Sequence, residues 1–244
     1  MNYGYAPVSE AAAADMLSKE PFQIELYRQV AECMGPERLQ GRRVLEVSCG
    51  LGGGLDHLSR HFRFGPGVGL DQSLIAVRAA RRRFGIQAIR GNAMAMPFAD
   101  GTFDAIINVE ASHSYLQARK FYAEVARVLA VDGTFAMADL RDGSADVVEA
   151  TMRERLAEAG LEVILYRAVT ENILEARILD SPRVEAEISR PSLRLFRGLL
   201  GRELGFPGID PRLIALAERR TNYFILSARH RGEVATTEAR PRPA

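Results

Sequence analysis

Short apolar runs and stretches of helical spacing alternate along the middle of this chain, and their order predicts an α/β fold. The apolar runs, rich in branched side chains, are residues 44–47, 67–71, 86–89, 103–110 and 134–140. Runs this short and this apolar are typical of strands buried in a parallel sheet. Between them, residues 74–84 and 118–129 carry apolar side chains at helical spacing. The alternation predicts a mostly parallel sheet with right-handed crossovers and helices on both faces.

A long insertion separates the last two strands of the predicted sheet. The pattern gives a helix at 145–159, a sixth strand at 161–169 and a seventh at 222–228. The insertion, residues 170–220, is too long for a simple loop. Its apolar spacing predicts helices broken at prolines such as Pro182. We therefore expect a helical cap over a substrate pocket, inserted before the last strand, with core packing or a dimer surface as alternatives.

The segments that flank the sheet differ in character from it. Ser9 is placed to cap an alanine-rich helix through Lys19, Pro21 interrupts that helix, and residues 22–34 return to helical spacing. We expect the chain to divide into a helical lid, a core, the cap, a last core strand and a disordered tail. Their bounds are residues 1–36, 37–169, 170–220, 221–229 and 230–244.

Composition narrows the classes of protein to be considered. With 244 residues and 47% hydrophobic content, the chain is long enough for one α/β domain with a sizeable core. The net charge of +1 gives no overall basic footprint for a nucleic-acid partner. Two cysteines make no disulfide framework, and we find neither an apolar run of membrane-span length nor a signal sequence. We expect a cytoplasmic enzyme with a small-molecule substrate, and a homodimer is left open.

A glycine-rich turn directly after the first strand predicts a nucleotide-like cofactor. Gly50 and Gly52 allow a tight turn and let the backbone approach a ligand closely. The run from Ser48 to Gly53 fits a degenerate dinucleotide fingerprint, so nicotinamide or flavin dinucleotides and S-adenosylmethionine (SAM) are both candidates. Glu46, two residues before the turn, favours SAM, because its carboxylate suits a cationic amino acid end better than a pyrophosphate. A turn that serves packing alone is the remaining alternative.

Polar residues at the ends of the next strands extend this site. Asp71 follows the turn by about twenty residues, the spacing expected for a carboxylate that binds ribose hydroxyls. Asn92 follows the third strand, where its amide is placed to pair with an adenine edge. Asn108 ends the fourth strand beside the same crevice.

Taken together and in order, these motifs resemble the class I SAM-dependent methyltransferases. The motifs are 45–52, 69–71, 91–98 with Phe103 and Asp104, and 125–129 leading to 132–134. The resemblance implies a Rossmann-like class I methyltransferase fold, SAM as cofactor and S-adenosylhomocysteine as product. Ser48 in place of the usual first glycine and Asn92 in place of the usual acid depart from the pattern. The cofactor residues it implies are Tyr27, Glu46, Ser48, Gly50, Leu51, Gly52, Asp71, Gln72, Asn92, Ala93, Met94 and Asn108.

Within that superfamily, the opening residues 1–5 and the segment 108–115 resemble bacterial methyltransferases of small secondary metabolites, polyketides and lipids, including the phthiotriolone type. This resemblance implies methyl transfer to a hydroxyl of a mainly apolar acceptor. Transfer to a carboxylate, such as that of a fatty acid, or to nitrogen is the enzymatic alternative. From other classes, an NAD(P)-dependent oxidoreductase and a non-catalytic SAM-binding protein stay open.

One histidine stands out as a catalyst. His113 follows the fourth strand at the carboxyl end of the sheet, where a neutral imidazole could accept a proton from an acceptor hydroxyl. Glu110 is the second choice, either as a base or as an orienting group. Asp139 and Asp142 lack companion acids at clear spacing, so no metal is expected. The expected substrate-binding residues are His113 itself together with Tyr3 and Tyr5 of the lid, Tyr115 and Phe196.

Overall fold

Seven strands form a single mixed sheet in the computed structural model, which describes residues 2–6, 20–189 and 210–232. The strands are β1 (Val44–Val47), β2 (Gly67–Asp71), β3 (Gln87–Arg90), β4 (Phe103–Val109), β5 (Leu129–Asp142), β6 (Leu161–Ala168) and β7 (Thr221–His230). Their spatial order is β3-β2-β1-β4-β5-β7-β6. The first five strands pair in parallel, and β7 is antiparallel to both of its neighbours. The predicted α/β fold with a mostly parallel sheet is confirmed.

Helices cover both faces of this sheet. They are α1 (Pro21–Glu32), α2 (Gly53–Phe62), α3 (Leu74–Phe84), α4 (Ala118–Val128), α5 (Ala145–Glu158), α6 (Thr170–Ile188) and α7 (Pro211–Ala217). Successive β1 side chains point to opposite faces, and each face has its own buried cluster. Leu45 packs in the cluster that contains Phe121 of α4, whereas Val44 packs in the one that contains Leu58 of α2. The central strands are therefore apolar throughout because both of their faces are buried.

The predicted helix breaks in the insertion are partly wrong. Helix α6 runs through Pro182, although proline has no N–H to donate to the carbonyl of Ile178. The hydroxyl of Ser181 donates to that carbonyl instead, over 2.7 Å. The remaining predicted breaks and Phe196 lie outside the described residues, as does the predicted helix from Ser9 to Lys19.

The carboxyl ends of the central strands meet at the point where the strand order reverses. β1 lies between β2 and β4, with Val47 opposite Leu70 on one side and Asn108 on the other. Open α/β sheets bind ligands in the crevice that forms at such a point. Among the described helices, none is long and apolar enough to cross a membrane.

Candidate active site

The turn after β1 is built around glycine and fastened by Asp71. Gly50 and Gly52 have φ angles of 52° and 83°, a region that side chains rarely adopt. Asp71 accepts the N–H of Gly50 over 2.9 Å and the N–H of Ser73 over 2.8 Å. This carboxylate thus joins the ends of β1 and β2, and its oxygens keep further lone pairs for a ligand.

A buried acid lies next to the turn. Glu46 is 1% exposed, and its Oε1 accepts the hydroxyl of Tyr27 over 2.6 Å. Its Oε2 is buried and has no hydrogen-bond partner in the described structure. Burial raises the pKa of Glu46 to about 8, even though the Tyr27 hydroxyl favours the ionised form. Glu46 therefore holds a proton at neutral pH, and a cationic group bound beside it would favour the ionised form.

Helix α1 reaches this acid through close packing against glycine. A Cβ on Gly54 would lie 2.1 Å from Cζ of Tyr27, so only glycine leaves room for the ring. The same helix contacts α2, which begins at the turn. Tyr27 therefore lies beside Glu46, and its contact with the cofactor stays a prediction.

Ser48 stands where the usual pattern has glycine, and its side chain has a hydrogen-bond partner. It has a φ of 60°, and its hydroxyl lies 2.6 Å from that of Tyr115. Asn108 donates its amide to the carbonyl of Val47 over 2.9 Å and to the Tyr115 hydroxyl over 3.2 Å. The Oδ1 of Asn108 is buried without a partner. These contacts join the cofactor turn to the segment that follows β4.

Residues after β3 form a braced loop. The side-chain carbonyl of Asn92 accepts the N–H of Met94 over 2.9 Å, and Ala93 is buried in the core. Arg127 donates to the carbonyls of Met96 and Phe98 and so holds the loop against α4. Asn92 is exposed, with its carbonyl engaged locally, and its contact with an adenine edge stays a prediction. Leu51 and Gln72 are also exposed near this end of the sheet.

His113 is held by a buried aspartate. It lies in a single 3₁₀ turn, Ser112–Ser114, and its Nδ1 is 2.6 Å from Oδ1 of Asp139. The side chain of His113 is 16% exposed, whereas that of Asp139 is fully buried. When Nδ1–H donates to the carboxylate, Nε2 carries the free lone pair. This arrangement orients an imidazole to accept a proton.

A dense network keeps Asp139 ionised. The hydroxyl of Ser112 and the backbone N–H groups of His113 and Leu140 donate to it, and Arg141 lies 3.2 Å away. Burial alone would raise the pKa of Asp139, but the His113 hydrogen bond and the Arg141 charge outweigh burial and hold it below its usual value. The carboxylate therefore stays charged and stabilises a protonated imidazole.

Glu110 serves a different set of partners. It has a φ of 48°, and its Oε1 accepts the backbone N–H of Tyr3 over 2.8 Å and the hydroxyl of Tyr223 over 2.7 Å. Burial raises its pKa. These contacts favour an orienting role, and its assignment as the alternative base stays a prediction.

We call residues 2–6 the N-terminal strap. Tyr3 is 7% exposed, its hydroxyl donates to Asp210 over 2.5 Å, and its carbonyl accepts from the buried Arg177 over 3.2 Å. The half-buried Tyr5 donates its N–H to the carbonyl of Phe22 over 2.9 Å. The strap thus connects β4, α1, α6 and the start of α7.

A cavity of about 390 Å³ adjoins His113. Its other lining residues are Leu140, Arg141, Asp142, Pro211, Arg212, Ala215 and Thr221. Tyr3 contacts Asp210, next to this lining, whereas Tyr5 and Tyr115 are not among the lining residues. Among the described residues, no group of three or more acidic, histidine or cysteine side chains is arranged to hold a metal ion.

The residues around the turn fit SAM, the cofactor that the resemblance implies. A Cβ on Gly50 would meet nothing within 4 Å, so the turn faces open space. Beside it, Oε2 of Glu46 and Oδ1 of Asn108 are buried acceptors that lack donors. An ammonium group supplies such donors, whereas a pyrophosphate does not.

Sequence reasoning missed several residues of the site. Asp139 was considered only as a metal ligand, Tyr223 only as a residue that lines the pocket, and the partners Asp210 and Arg177 were not assigned roles. A signal for Asp139 existed: β4 and β5 are consecutive parallel strands with Val109 opposite Ala138, so the residues that follow β4 lie beside the carboxyl-terminal part of β5, which contains Asp139. The contact of Tyr3 with Asp210 spans 207 positions and has no local signal.

Comparison with known proteins identifies relatives of this chain. Residues 45–137 match a family described as a methyltransferase domain. A fatty-acid O-methyltransferase of Mycolicibacterium smegmatis is 35% identical over 81% of this chain and 72% of its own length. A phthiotriol/phenolphthiotriol dimycocerosates methyltransferase of Mycobacterium tuberculosis is 35% identical over 74% of this chain and 68% of its own length.

A solved structure shows the same fold at lower identity. The geranyl diphosphate C-methyltransferase of Streptomyces coelicolor, in complex with S-adenosylhomocysteine, superposes with a TM-score of 0.67 at 18% identity. The match covers 94% of this chain and 92% of that protein. At this TM-score the two proteins share the same fold.

Proposed function

Because this chain belongs to the SAM-dependent methyltransferases, we propose that it methylates a hydroxyl of a small, mainly apolar metabolite of lipid or polyketide type. The observation that carries this proposal is the His113–Asp139 pair beside the cavity. A hydroxyl must lose its proton during methyl transfer, whereas a carboxylate is already ionised at neutral pH. A histidine that is oriented as a general base is therefore needed more by a hydroxyl acceptor than by a carboxylate.

The roles of the residues follow from their contacts. When bound, SAM supplies an activated methyl group. Glu46, Asp71 and Asn108 would hold it, because each offers oxygen atoms that accept hydrogen bonds at the carboxyl end of the central strands. Leu140, Pro211 and Ala215 give part of the cavity an apolar wall. An acceptor held between these groups has its hydroxyl presented to His113.

Proton transfer is assigned to His113. SAM would supply the methyl group and leave as S-adenosylhomocysteine, and Nε2 would accept the proton that the hydroxyl loses. The imidazolium that results stays paired with Asp139, which needs no proton of its own. Since the ring is 16% exposed, the proton can pass to solvent afterwards.

The test is methyl transfer to a panel of acceptors, followed by mass spectrometry. The panel pairs long-chain alcohols and phenols with fatty acids of equal chain length. His113→Ala should lower turnover of the hydroxyl acceptors by about a hundredfold or more, with SAM affinity nearly unchanged. Loss of SAM affinity in that variant, or hydroxyl methylation at the wild-type rate, would remove His113 from this role.

A carboxylate acceptor is the second candidate. A fatty-acid O-methyltransferase is among the relatives of this chain, and Arg212 lines the cavity with an exposed side chain. An arginine there could bind a carboxylate. This candidate predicts that Arg212→Gln raises the KM for fatty acids and that His113→Ala leaves their turnover intact.

A further inference from the structure

The charges of this chain are unevenly distributed. The net charge is only +1, yet residues 72–99 contain five arginines and neither aspartate nor glutamate. The arginines are Arg78, Arg81, Arg82, Arg83 and Arg90, and the first four belong to α3. A basic segment without acids is an electrostatic feature that the whole-chain charge conceals.

All five arginines are exposed, and none of them forms an ion pair with any residue that the structure describes. Arginines on other helices behave differently, because Arg119 pairs with Glu158 and Arg153 pairs with Glu149. The contacts of the basic segment are to neutral groups, such as the bond from Arg81 to the carbonyl of Ala88. Their positive charge is therefore not neutralised by an ion pair within the part of the chain that the structure describes.

Two apolar side chains share the solvent face of α3 with these arginines. Helical geometry of about 100° per residue places Ile75, Arg78 and Arg82 in one row and Leu74, Arg78 and Arg81 in the next. Val77 and Ala80 lie on the opposite, buried side. Ile75 is 80% exposed and Leu74 is 40% exposed. We call these two residues, with Arg78, Arg81 and Arg82, the arginine face.

The arginine face lies at an edge of the molecule, close to the site. Helix α3 packs against β2 and β3, and β3 is the outermost strand of the sheet on that side. Leu74 and Ile75 form its first turn, three and four residues after Asp71. The apolar end of the face is thus at the same carboxyl edge of the sheet as the candidate active site.

We propose that the arginine face docks this protein on anionic lipid membranes. Guanidinium groups bind lipid phosphates, and the exposed Ile75 and Leu74 enter the headgroup region between them. A nucleic acid or a purely acidic segment would account for the arginines, but not for an isoleucine that is four-fifths exposed among them. Docking in this way would bring the site to a surface where apolar acceptors are concentrated. This choice of partner rests on the proposed apolar substrate, but docking itself does not depend on catalysis.

Vesicle sedimentation tests the proposal with the full chain. The vesicles are phosphatidylcholine alone or phosphatidylcholine with a quarter of phosphatidylglycerol. We expect binding only to the anionic vesicles, weakening as salt increases. Arg78→Gln with Arg82→Gln should reduce partitioning by about tenfold or more. The control, Arg119→Gln with Arg153→Gln, removes the same charge from α4 and α5 and should bind like wild type.

The apolar part of the face is tested separately. Ile75→Ser keeps every arginine and should weaken vesicle binding several-fold. Binding to heparin, a polyanion that is not a lipid, is measured for the same variants. If Ile75→Ser binds vesicles like wild type, and Arg78→Gln with Arg82→Gln binds heparin more weakly than the control pair, the face recognises polyanions in general and the lipid proposal is overturned. The proposal is also overturned if the two arginine-pair variants lose vesicle binding equally, or if the wild-type protein does not bind anionic vesicles. His113→Ala should still bind vesicles, which separates this proposal from the proposed function, and SAM affinity checks the fold of each variant.

Discussion

The hydroxyl oxygens of Ser48 and Tyr115 lie 2.6 Å apart, and this contact joins the cofactor turn to the loop that carries His113. Ser48 occupies a left-handed conformation, with a φ of 60°, where the family pattern has glycine. Burial raises the pKa of Tyr115 to about 12, so its hydroxyl stays protonated and can bond both Ser48 and Asn108. The serine is therefore tolerated because its side chain gains a partner.

Substitution of both partners tests this coupling. Ser48→Gly relieves a left-handed conformation as it removes the hydrogen bond, and each effect is worth about 1 kcal/mol, so stability should change little. Tyr115→Phe leaves two polar groups without their partner and should cost about 1–3 kcal/mol. In the Ser48→Gly background the same substitution should cost less. Urea denaturation of the four proteins measures the coupling, and strictly additive effects would contradict it.

Glu46 should make the stability of the SAM-free protein depend on pH. The pKa of this acid is about 8 in the folded protein and about 4.5 without burial. An acid whose folded pKa is raised contributes stability below its unfolded value, and that contribution is lost as the pH rises through about 8. Denaturation at several pH values should show this fall between about pH 4.5 and 8, and Glu46→Gln should flatten the curve.

Binding of SAM should release the proton held by Glu46. A cationic ammonium beside the carboxyl favours its ionised form and lowers its pKa. Calorimetric titration at pH 7 in two buffers of different ionisation enthalpy should therefore give different binding enthalpies. Glu46→Gln should remove the difference and weaken affinity. Identical enthalpies for the wild-type protein in both buffers would place the ammonium away from Glu46.

Two neighbouring glycines of α2 should respond in opposite ways to alanine. Gly54→Ala drives a methyl group into the ring of Tyr27, so it should destabilise by about 1–3 kcal/mol. Gly53→Ala meets nothing closer than 3.8 Å and should be neutral or stabilising, because alanine favours helices by up to about 1 kcal/mol. In a Tyr27→Ala background, Gly54→Ala should also become neutral or stabilising. Urea denaturation checks all three, and a penalty that persists without Tyr27 would show another cause.

The fold and the site differ in how far the sequence could predict them. Helix α3 was predicted with the bounds that the structure has, because local periodicity encodes an amphipathic helix. The positions of Glu46 and Asp71 also follow from local motifs around strands. The pairing of His113 with Asp139 depends instead on the register of β4 against β5, which places Val109 opposite Ala138. Register is a tertiary property, so the sequence singled out His113 as the candidate base but did not identify Asp139 as its partner.

The strap shows the same limit over a greater distance. Tyr3 was expected to contact substrate, because a tyrosine at a terminus near a pocket is a natural lid. Its backbone and its hydroxyl in fact bind Glu110 and Asp210, and its carbonyl binds Arg177. The packing of α6 and α7 brings these distant residues to Tyr3, and no local sequence pattern encodes that packing. Contact of Tyr3 with the acceptor stays a prediction.

These contacts also separate the two roles considered for Glu110. As an anchor for the strap, Glu110 uses Oε1 to accept from Tyr3 and Tyr223, and glutamine offers a carbonyl oxygen at the same place. Glu110→Gln should therefore keep turnover within about tenfold of wild type, whereas loss of a general base lowers it by about a hundredfold or more. Glu110→Ala removes the acceptor and should expose the strap to proteolysis.

Two measurements are made on the same samples. Turnover is followed with an acceptor that gains a methyl group, and exposure of the strap is followed by limited proteolysis with amino-terminal sequencing. His113→Ala is the matched control, because it should lose turnover with its strap protected. If Glu110→Gln instead loses turnover as severely as His113→Ala while its strap stays protected, Glu110 acts in proton transfer. The anchoring role would then have to be given to Asp210 and Arg177, which bond Tyr3 from the start of α7 and from α6.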